Sequence, residues 1–260
     1  MKSRIYQPGY LNPTKGFTLI EMAIVLIILT LVVGGALVPL GAQIEQRRQA
    51  ETRKSLDEIK EALIGYAIAN KALPCPSTLS GSTPTGFAAG SCTTSTSTGY
   101  LPWATLGITR QDAWGNLFAY AVSASFTASP IALPPSGPSP TFTIQSRDGS
   151  GNKTALSNAN AIPAVVISFG KNAYGALNAD GISQATPSTF SNQNPDECLN
   201  VKGSTNSTIS CSGSDTPYFS RTPSPPGTAT SLGGEFDDMV VWISPNVLFN
   251  RMVAAGQLSN

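Results

Sequence analysis

The sequence predicts an α+β fold in which a long N-terminal helix packs on a small antiparallel β-sheet with long polar loops. Residues 17–40 form an apolar run with a single charge. An amphipathic pattern follows over residues 41–72. Beyond it, short β-branched or aromatic runs alternate with stretches rich in Pro, Ser, Thr and Gly. We therefore divide the chain into a polar leader at 1–16, an apolar helix at 17–40, an amphipathic helix at 41–72 and a β-rich globular domain at 73–260.

The apolar run is long enough to cross a membrane as a helix. At about 1.5 Å per residue, its 24 residues would extend about 36 Å. The hydrocarbon core of a bilayer is about 30 Å thick. Lys2, Arg4 and Lys15 precede the run, and the positive-inside rule places these basic residues in the cytoplasm. We therefore expect residues 17–40 to span a membrane once.

Glu21 is the one acid in this run, at its fifth position. An acid at the bilayer centre costs about 2.5 to 3.5 kcal/mol on insertion scales. In the first turn of a helix, however, a carboxylate interacts favourably with the helix dipole. Glu21 also lies four residues after Phe17, near the same helix face. A carboxylate retained in such a run indicates a specific partner.

The order Gly16-Phe17-Thr18-Leu19-Ile20-Glu21-Met22 resembles the cleavage and methylation motif of type IV pilins and pseudopilins. The resemblance implies that a prepilin peptidase cuts between Gly16 and Phe17 and that Phe17 is then N-methylated. It also implies that the apolar helix becomes the core of a filament, where Glu21 would pair with the Phe17 ammonium group of a neighbouring subunit. The implied partners are other pilin or pseudopilin subunits, the peptidase, an inner-membrane assembly platform and membrane lipid.

On this basis we expect a structural subunit of a type IV pilus-like filament, and not an enzyme. It would be inserted in the inner membrane with a periplasmic globular domain, and would then enter a pilus or pseudopilus that can reach the cell surface. The chain length and long loops favour a minor or specialised pilin. Two alternatives stay open: a pseudopilin of a type II secretion system, and a membrane-tethered binding or enzymatic domain that does not assemble.

Two ordinary targeting segments explain the N-terminus less well. A secretory signal has an apolar region of about 7 to 15 residues, which is shorter than the observed run and has no place for Glu21. A plain signal anchor explains the membrane span but leaves the order from Gly16 to Glu21 unexplained.

Composition narrows the range of functions. The chain contains no histidine, which excludes His-based catalytic triads and His-ligated metal centres. The formal net charge is +1 with only 12% charged residues. A basic footprint for nucleic acid is therefore lacking, and we expect no nucleic-acid partner.

Four cysteines form two close pairs in the sequence, Cys75 with Cys92 and Cys198 with Cys211. Four cysteines allow three connectivities, and proximity favours these two local disulfides. Each would stabilise the fold by about 3 kcal/mol on the chain-entropy model, and both require an oxidising compartment. The alternative, a zinc site, is disfavoured because neither pair has the short ligand spacing of common structural sites.

Short β-branched and aromatic runs predict four strands: Leu117–Val122, Thr141–Gln145, Ala164–Phe169 and Met239–Ile243. Just before the first, Asp112-Ala113-Trp114-Gly115 resembles the Asp-Pro-Trp-Gly turn of pseudopilins and many minor pilins, with Ala113 in place of proline. We expect Trp114 to be a core anchor, with a ligand-binding role as the alternative.

The acids near the C-terminus suggest calcium as the one candidate cofactor. The segments around Asp180 and Asp237-Asp238 resemble the calcium-bearing loop and closing strand of major pseudopilins. Calcium takes six to eight oxygen ligands, and Asp180, Asp237 and Asp238 could supply some of them. The alternative is that these acids stabilise turns. A second stretch, Asp148–Asn152, resembles the start of an EF-hand loop, but Lys153 stands where glycine is needed, which favours a turn.

Overall fold

The computed structural model describes residues 16–92, 96–131, 142–157, 162–184, 186, 190–201 and 217–258, and for 34–40, 96–97, 190–191 and 217 the backbone alone. The chain forms two units, Met1–Arg47 and Arg48–Asn260. Cys211 and most of the long polar segments lie outside the described residues.

The longest element is the helix α1, Leu19–Asn70, with 52 residues. It joins the two predicted helices into one element, which begins two residues after the predicted start at 17 and ends two residues before the predicted end at 72. Lys71, directly after the helix, has a φ of 59°, the left-handed conformation that commonly terminates helices. No helix in the described part of the chain combines the length and apolarity that are needed to cross a membrane.

The remaining elements belong to the second unit. The strands are β1 Ser77–Ser80, β2 Thr83–Ala88, β3 Thr96–Tyr100, β4 Ala119–Ser123, β5 Thr143–Arg147, β6 Lys153–Ala155, β7 Ala164–Ser168, β8 Pro217–Phe219 and β9 Met239–Trp242. The other helices are α2 Trp103–Leu106, α3 Phe190–Gln193, α4 Pro195–Asn200 and α5 Pro245–Ala254, with two 3₁₀ turns at Ala124–Phe126 and Thr230–Leu232.

The strands form three sheets. An antiparallel four-stranded sheet has the order β3-β4-β7-β9, and β1 pairs with β2 in a separate hairpin. The third sheet has the order β6-β5-β8, in which β5 and β8 run parallel. The predicted α+β class with an antiparallel sheet is therefore confirmed, with one parallel pair in addition.

The four-stranded sheet is covered on both faces. On one face, β4 and β7 pack against the buried stripe of α1, which includes Leu56, Ile59 and Leu63. On the other, alternate residues of the same strands pack with Phe142 and Ile144 from the segment that forms β5. All residues of β4 and β7 are buried, which explains why these strands have near-continuous apolar sequences.

A disulfide joins Cys75 and Cys92, as predicted. It closes the loop that carries the β1–β2 hairpin. Cys198 is also disulfide-bonded, but its predicted partner, Cys211, lies outside the described residues.

Three turns in the described part of the chain share the pattern Asx-x-x-Gly-x. They begin at Asp112, Asp148 and Asn178. In each, the side-chain Oδ1 accepts hydrogen bonds from the backbone N–H groups two and four residues later. The glycine has a positive φ, between 76° and 90°, which favours glycine over other residues. The stretch Asp148–Asn152 is thus a turn, as the sequence favoured.

The Asp112 turn is anchored in the sheet. Its Oδ2 accepts a 2.7 Å hydrogen bond from the hydroxyl of Ser168, at the end of β7. Trp114 in the same turn is half-buried and lies outside the three hydrophobic clusters of the described residues. The core position predicted for Trp114 is therefore corrected: large buried side chains such as Phe118 and Tyr120 fill the core beside β4.

Replacing Asp112 with alanine should destabilise the protein by about 1 to 3 kcal/mol, because buried N–H and O–H donors lose their acceptor. The measurement is urea unfolding of the purified full-length protein, followed by circular dichroism. Asp148→Ala is the matched control, since it removes the same turn bonds at an exposed site and should cost about 0.5 kcal/mol or less. Equal losses for the two variants would contradict the assigned role of Asp112.

Candidate functional site

The N-terminus of α1 forms a reciprocal capping arrangement. Gly16, Phe17 and Thr18 precede the helix. The hydroxyl oxygen of Thr18 accepts a hydrogen bond from the N–H of Glu21, and Glu21 Oε2 accepts one from the N–H of Thr18, each at 3.3 Å. This is the capping-box pattern of Thr-x-x-Glu. This local partner of Glu21 was not predicted from the sequence, although the spacing of Thr18 and Glu21 is its signature.

The peptide bond at the predicted cleavage position is exposed. The Gly16–Phe17 bond lies outside regular structure. Apart from the adjacent residues, no atom in the described part of the chain lies within 4 Å of where a Cβ on Gly16 would be. The side chain of Phe17 is 79% exposed. Exposed, irregular backbone of this kind is where proteases act most readily. Cleavage here, however, stays a prediction.

The first unit exposes a large apolar surface. Thirteen large apolar side chains between Phe17 and Val33 are at least 44% exposed. They occur on all sides of the helix, unlike the single buried stripe of α1 in the second unit. A helix that is apolar all round needs an apolar environment such as lipid or other helices. This part of α1 can therefore associate with either.

A second candidate site is a cluster of three acids, two buried and one half-buried, which we call the acidic cluster: Glu197, Asp237 and Asp238. One carboxylate oxygen from each lies within 4.8 Å of the others. Glu197 lies in the first turn of α4, which Pro195 begins, and the two aspartates directly precede β9. Glu197 is 1% exposed and Asp238 is 6% exposed.

Hydrogen bonds hold the acidic cluster together. Asn172 donates from its side-chain amide to both carboxylate oxygens of Glu197, at 3.0 and 3.1 Å, and from its backbone N–H to Asp237 Oδ2. The N–H of Asp237 donates to Glu197, and Asn200 donates to Asp238. Asp237 Oδ1 is buried, and among the described residues it has no hydrogen-bond partner.

The neighbouring arginines do not neutralise the acidic cluster. Arg147 contacts Asp196 through Nε and Nη2, and Arg221 contacts it through Nε at 3.0 Å. Asp196 is fully buried, so both guanidinium groups are committed to one carboxylate. When all are ionised, these two cations face four carboxylates: Asp196 and the three of the acidic cluster. Two negative charges are then left without compensation within this set.

Burial and mutual repulsion raise the pKa values of the acidic cluster. Burial, followed by the charge of Asp237, raises the pKa of Glu197 to about 8. Burial, together with the charge of Glu235, raises the pKa of Asp237 to about 6. The pKa of Asp238 is raised well above its ordinary value by burial and by both neighbours. At neutral pH the cluster therefore retains protons unless a cation replaces them.

The structure brings together only part of the predicted calcium set. Asp237 and Asp238 meet, but Asp180 is not in the group. Asp180 is exposed and belongs to the Asn178 turn, so its inclusion is corrected. Glu197 takes its place in the group. Glu197 was not predicted as a member of this site. Its position directly before Cys198, in a helix that begins with Pro195, was the one feature of the sequence that pointed to it.

Gly170 allows the acidic cluster to approach the end of β7. Its φ is 59°, and a Cβ at this position would lie 2.5 Å from both the backbone oxygen and Oδ1 of Asp237. A larger residue would therefore displace Asp237. The acidic cluster depends on this glycine as well as on its own side chains.

Comparison with known proteins bears on the first of these two sites. Residues 11–37 match the family model described as the prokaryotic N-terminal methylation motif, the signature of type IV pilins and pseudopilins. No curated protein and no solved structure matches the chain. The motif covers Gly16, Phe17 and Glu21, and the acidic cluster lies beyond it.

Proposed function

We propose that the protein is a structural subunit, a minor or specialised pilin, of a type IV pilus-like filament. A prepilin peptidase cuts it between Gly16 and Phe17, and it assembles through its N-terminal helix. The observation that carries this proposal is the methylation motif at residues 11–37. The exposed apolar surface of α1 that follows the cleavage position supports it, because such a surface needs lipid first and neighbouring helices later.

Cleavage changes the charge at the start of α1. It gives Phe17 an ammonium group four residues before the Glu21 carboxylate, where before there was a neutral amide. Both charges are costly in an apolar interior unless they are paired. In the filament, Glu21 of one subunit pairs with the Phe17 ammonium of a neighbour, so that assembly buries two compensated charges. N-methylation leaves the amine able to carry its proton.

The proposed location follows from the same segment. The basic leader stays in the cytoplasm, the apolar helix lies in the inner membrane, and the globular domain lies in the periplasm before assembly. The Cys75–Cys92 disulfide fits an oxidising compartment. The proposed partners are other subunits, the peptidase, the inner-membrane assembly platform and membrane lipid.

One observation favours a second candidate function. Two members of the acidic cluster, Asp237 and Asp238, directly precede the closing strand β9, in the place where the sequence resembles the calcium-bearing loop of major pseudopilins. A pseudopilin of a type II secretion system is therefore the alternative within the same class. Both candidates share the proposed processing and helix assembly.

We also propose that the acidic cluster holds a calcium ion. The donors are the hard carboxylate oxygens that calcium prefers, and the buried, unpartnered Oδ1 of Asp237 is a ready ligand. The ion would neutralise the two uncompensated negative charges and join α4 to the segment before β9. It would thereby stabilise the globular domain.

Substitution of Glu21 tests the assembly proposal and separates charge from capping. Glu21→Gln keeps an acceptor for the Thr18 N–H but removes the carboxylate charge. We expect both Glu21→Ala and Glu21→Gln to enter membranes normally and to lose at least about tenfold in filament incorporation, the effect of about 1.4 kcal/mol. Quantitative immunoblots of membrane and sheared filament fractions measure this.

Glu51→Ala, at an exposed acid outside the motif, is the control and should assemble normally. Normal incorporation of Glu21→Gln would contradict the charge-pairing mechanism and assign Glu21 a capping role alone.

Calcium and pH should affect stability together. Without metal, the free energy of unfolding should fall as the pH rises from about 4 to 8, because the folded acidic cluster binds more protons than the unfolded chain over this range. Calcium at 100 times its Kd should restore about 2.7 kcal/mol at pH 8. At pH 5 it should have little effect, because protons compete for the ligands. Thermal unfolding of the full-length protein measures both effects.

Two variants make the calcium test specific. Glu197→Gln should remove the calcium response, whereas Asp180→Asn, at the acid that the structure places elsewhere, should retain it. An unchanged melting temperature on addition of calcium at pH 8, or loss of the response in Asp180→Asn, would contradict the proposed site.

A further inference from the structure

The strand β9 is one edge of the four-stranded sheet. It pairs with β7 on one side, and in the part of the chain that the structure describes no strand pairs with its other side. Along an antiparallel strand, the N–H and C=O groups point to one side and then to the other from residue to residue. The N–H of Ile243 donates to Ala164, on the β7 side. The N–H and C=O groups of Val240 and Trp242 therefore point away from β7, to what we call the open edge.

The chain covers only the beginning of the open edge. Phe236 and Ser224 exchange two backbone hydrogen bonds, of 2.8 and 3.1 Å. Phe236 lies four residues before Val240, so its backbone groups point to the same side. This bridge is isolated, because the residues that precede Ser224 do not continue to pair along β9. The open edge beyond Phe236 is thus left without a partner strand among the described residues.

A groove lies where the pairing stops. Its volume is about 330 Å³, which is within the range of ligand-binding clefts. Residues 237–241 form one wall, and Ser220, Arg221 and Pro223, just before the isolated bridge, form another. Residues of α1, among them Arg53 and Asp57, complete the lining. The open edge of β9 therefore borders a groove within the second unit.

The sequence of β9 does not block the addition of a strand. Edge strands that stay unpaired commonly carry charged side chains or proline. The sequence of β9 is Met-Val-Val-Trp, which contains neither. Met239, Val241 and Trp242 are half-buried. The edge is thus apolar and still partly accessible.

Acids outnumber the available cations in the groove. Asp57, Asp237 and Asp238 line it together with Arg53 and Arg221, but Arg221 is paired with a buried acid outside the groove. Asp57 forms no ion pair with any residue that the structure describes. The buried Oδ1 of Asp237 has no hydrogen-bond partner among these residues. This balance favours a partner with a basic side chain over nucleic acid or anionic lipid.

We propose that an extended segment of another polypeptide, with a lysine or arginine side chain, binds in this groove as an additional strand beside β9. Its backbone forms hydrogen bonds with the outward groups of Val240 and Trp242, and its basic side chain approaches Asp57 and Asp237. In strand addition of this kind, backbone bonds supply affinity and side chains supply specificity. The proposal concerns the globular domain and does not depend on whether the chain enters a filament.

Binding of a synthetic peptide to the purified full-length protein tests the proposal. The probe is a fluorescently labelled peptide of about six residues, a common strand length, in which valine and threonine alternate around a central lysine. Fluorescence anisotropy is measured at pH 7 with EDTA, so that no metal occupies the acidic cluster. We expect a Kd below about 1 mM. A matched peptide with N-methyl groups on two adjacent central residues cannot pair normally through either edge, and should bind at least about tenfold more weakly.

Substitution of Val240 tests the backbone contact from the side of the protein. Val240→Pro removes the outward N–H, which takes no part in the pairing with β7, and should weaken peptide binding by about tenfold or more. Val240→Ala is the matched control, because it loses the side chain but keeps the N–H, and it should bind nearly as the unmodified protein does. Circular dichroism establishes that each variant is folded.

Reversal of one charge tests the side-chain contact. Asp57→Lys should weaken binding of the lysine peptide by about tenfold or more and should favour a peptide with glutamate in place of the lysine. Glu58→Lys, the same change at the neighbouring acid of α1 that does not line the groove, should leave binding unchanged. Both positions are exposed, so neither change disturbs the core.

Four results would overturn the proposal. These are a Kd of the lysine peptide above about 1 mM, equal binding of the N-methylated peptide, an equal loss in Val240→Ala and Val240→Pro, and an equal response of Asp57→Lys and Glu58→Lys. If Val240→Pro does not fold, the N-methylated peptide and the Asp57→Lys comparison still decide the question.

Discussion

The exposed apolar surface at the start of α1 is the constraint on which the rest of the molecule depends. Between Phe17 and Val33, a single chain leaves its large apolar side chains uncovered, a state that is unfavourable in water. Lipid and neighbouring helices can both cover this surface, so the proposed passage from membrane to filament requires no new core. The globular domain has its own hydrophobic core. Its apolar side chains are buried between the stripe of α1 from Leu56 to Ala67 and one face of the central sheet, and on the opposite face of that sheet.

In both units, acidic side chains have specific hydrogen-bond or ion-pair partners. Thr18 partners Glu21 at the helix start, and two arginines partner the fully buried Asp196. The acidic cluster has too few cations, and burial together with mutual repulsion raises the pKa values of Glu197 and Asp237.

The sequence predicts those elements whose pattern is local. Period and apolarity identify α1, and β-branched runs identify β4, β5, β7 and β9. The other strands escape prediction because β1, β2 and β3 are rich in Ser, Thr and Gly and form through pairing. The acidic cluster is only half predictable: Glu197 lies 40 residues from Asp237 and reaches it by tertiary packing, whereas Asp180 satisfies a local turn.

The most direct test of the filament account is intact-mass and N-terminal analysis of the protein isolated from membranes that contain an active prepilin peptidase. Our account predicts a chain that begins at N-methylated Phe17, with residues 1–16 removed. A chain that still begins at Met1 would contradict it and would instead support a membrane-tethered domain that does not assemble.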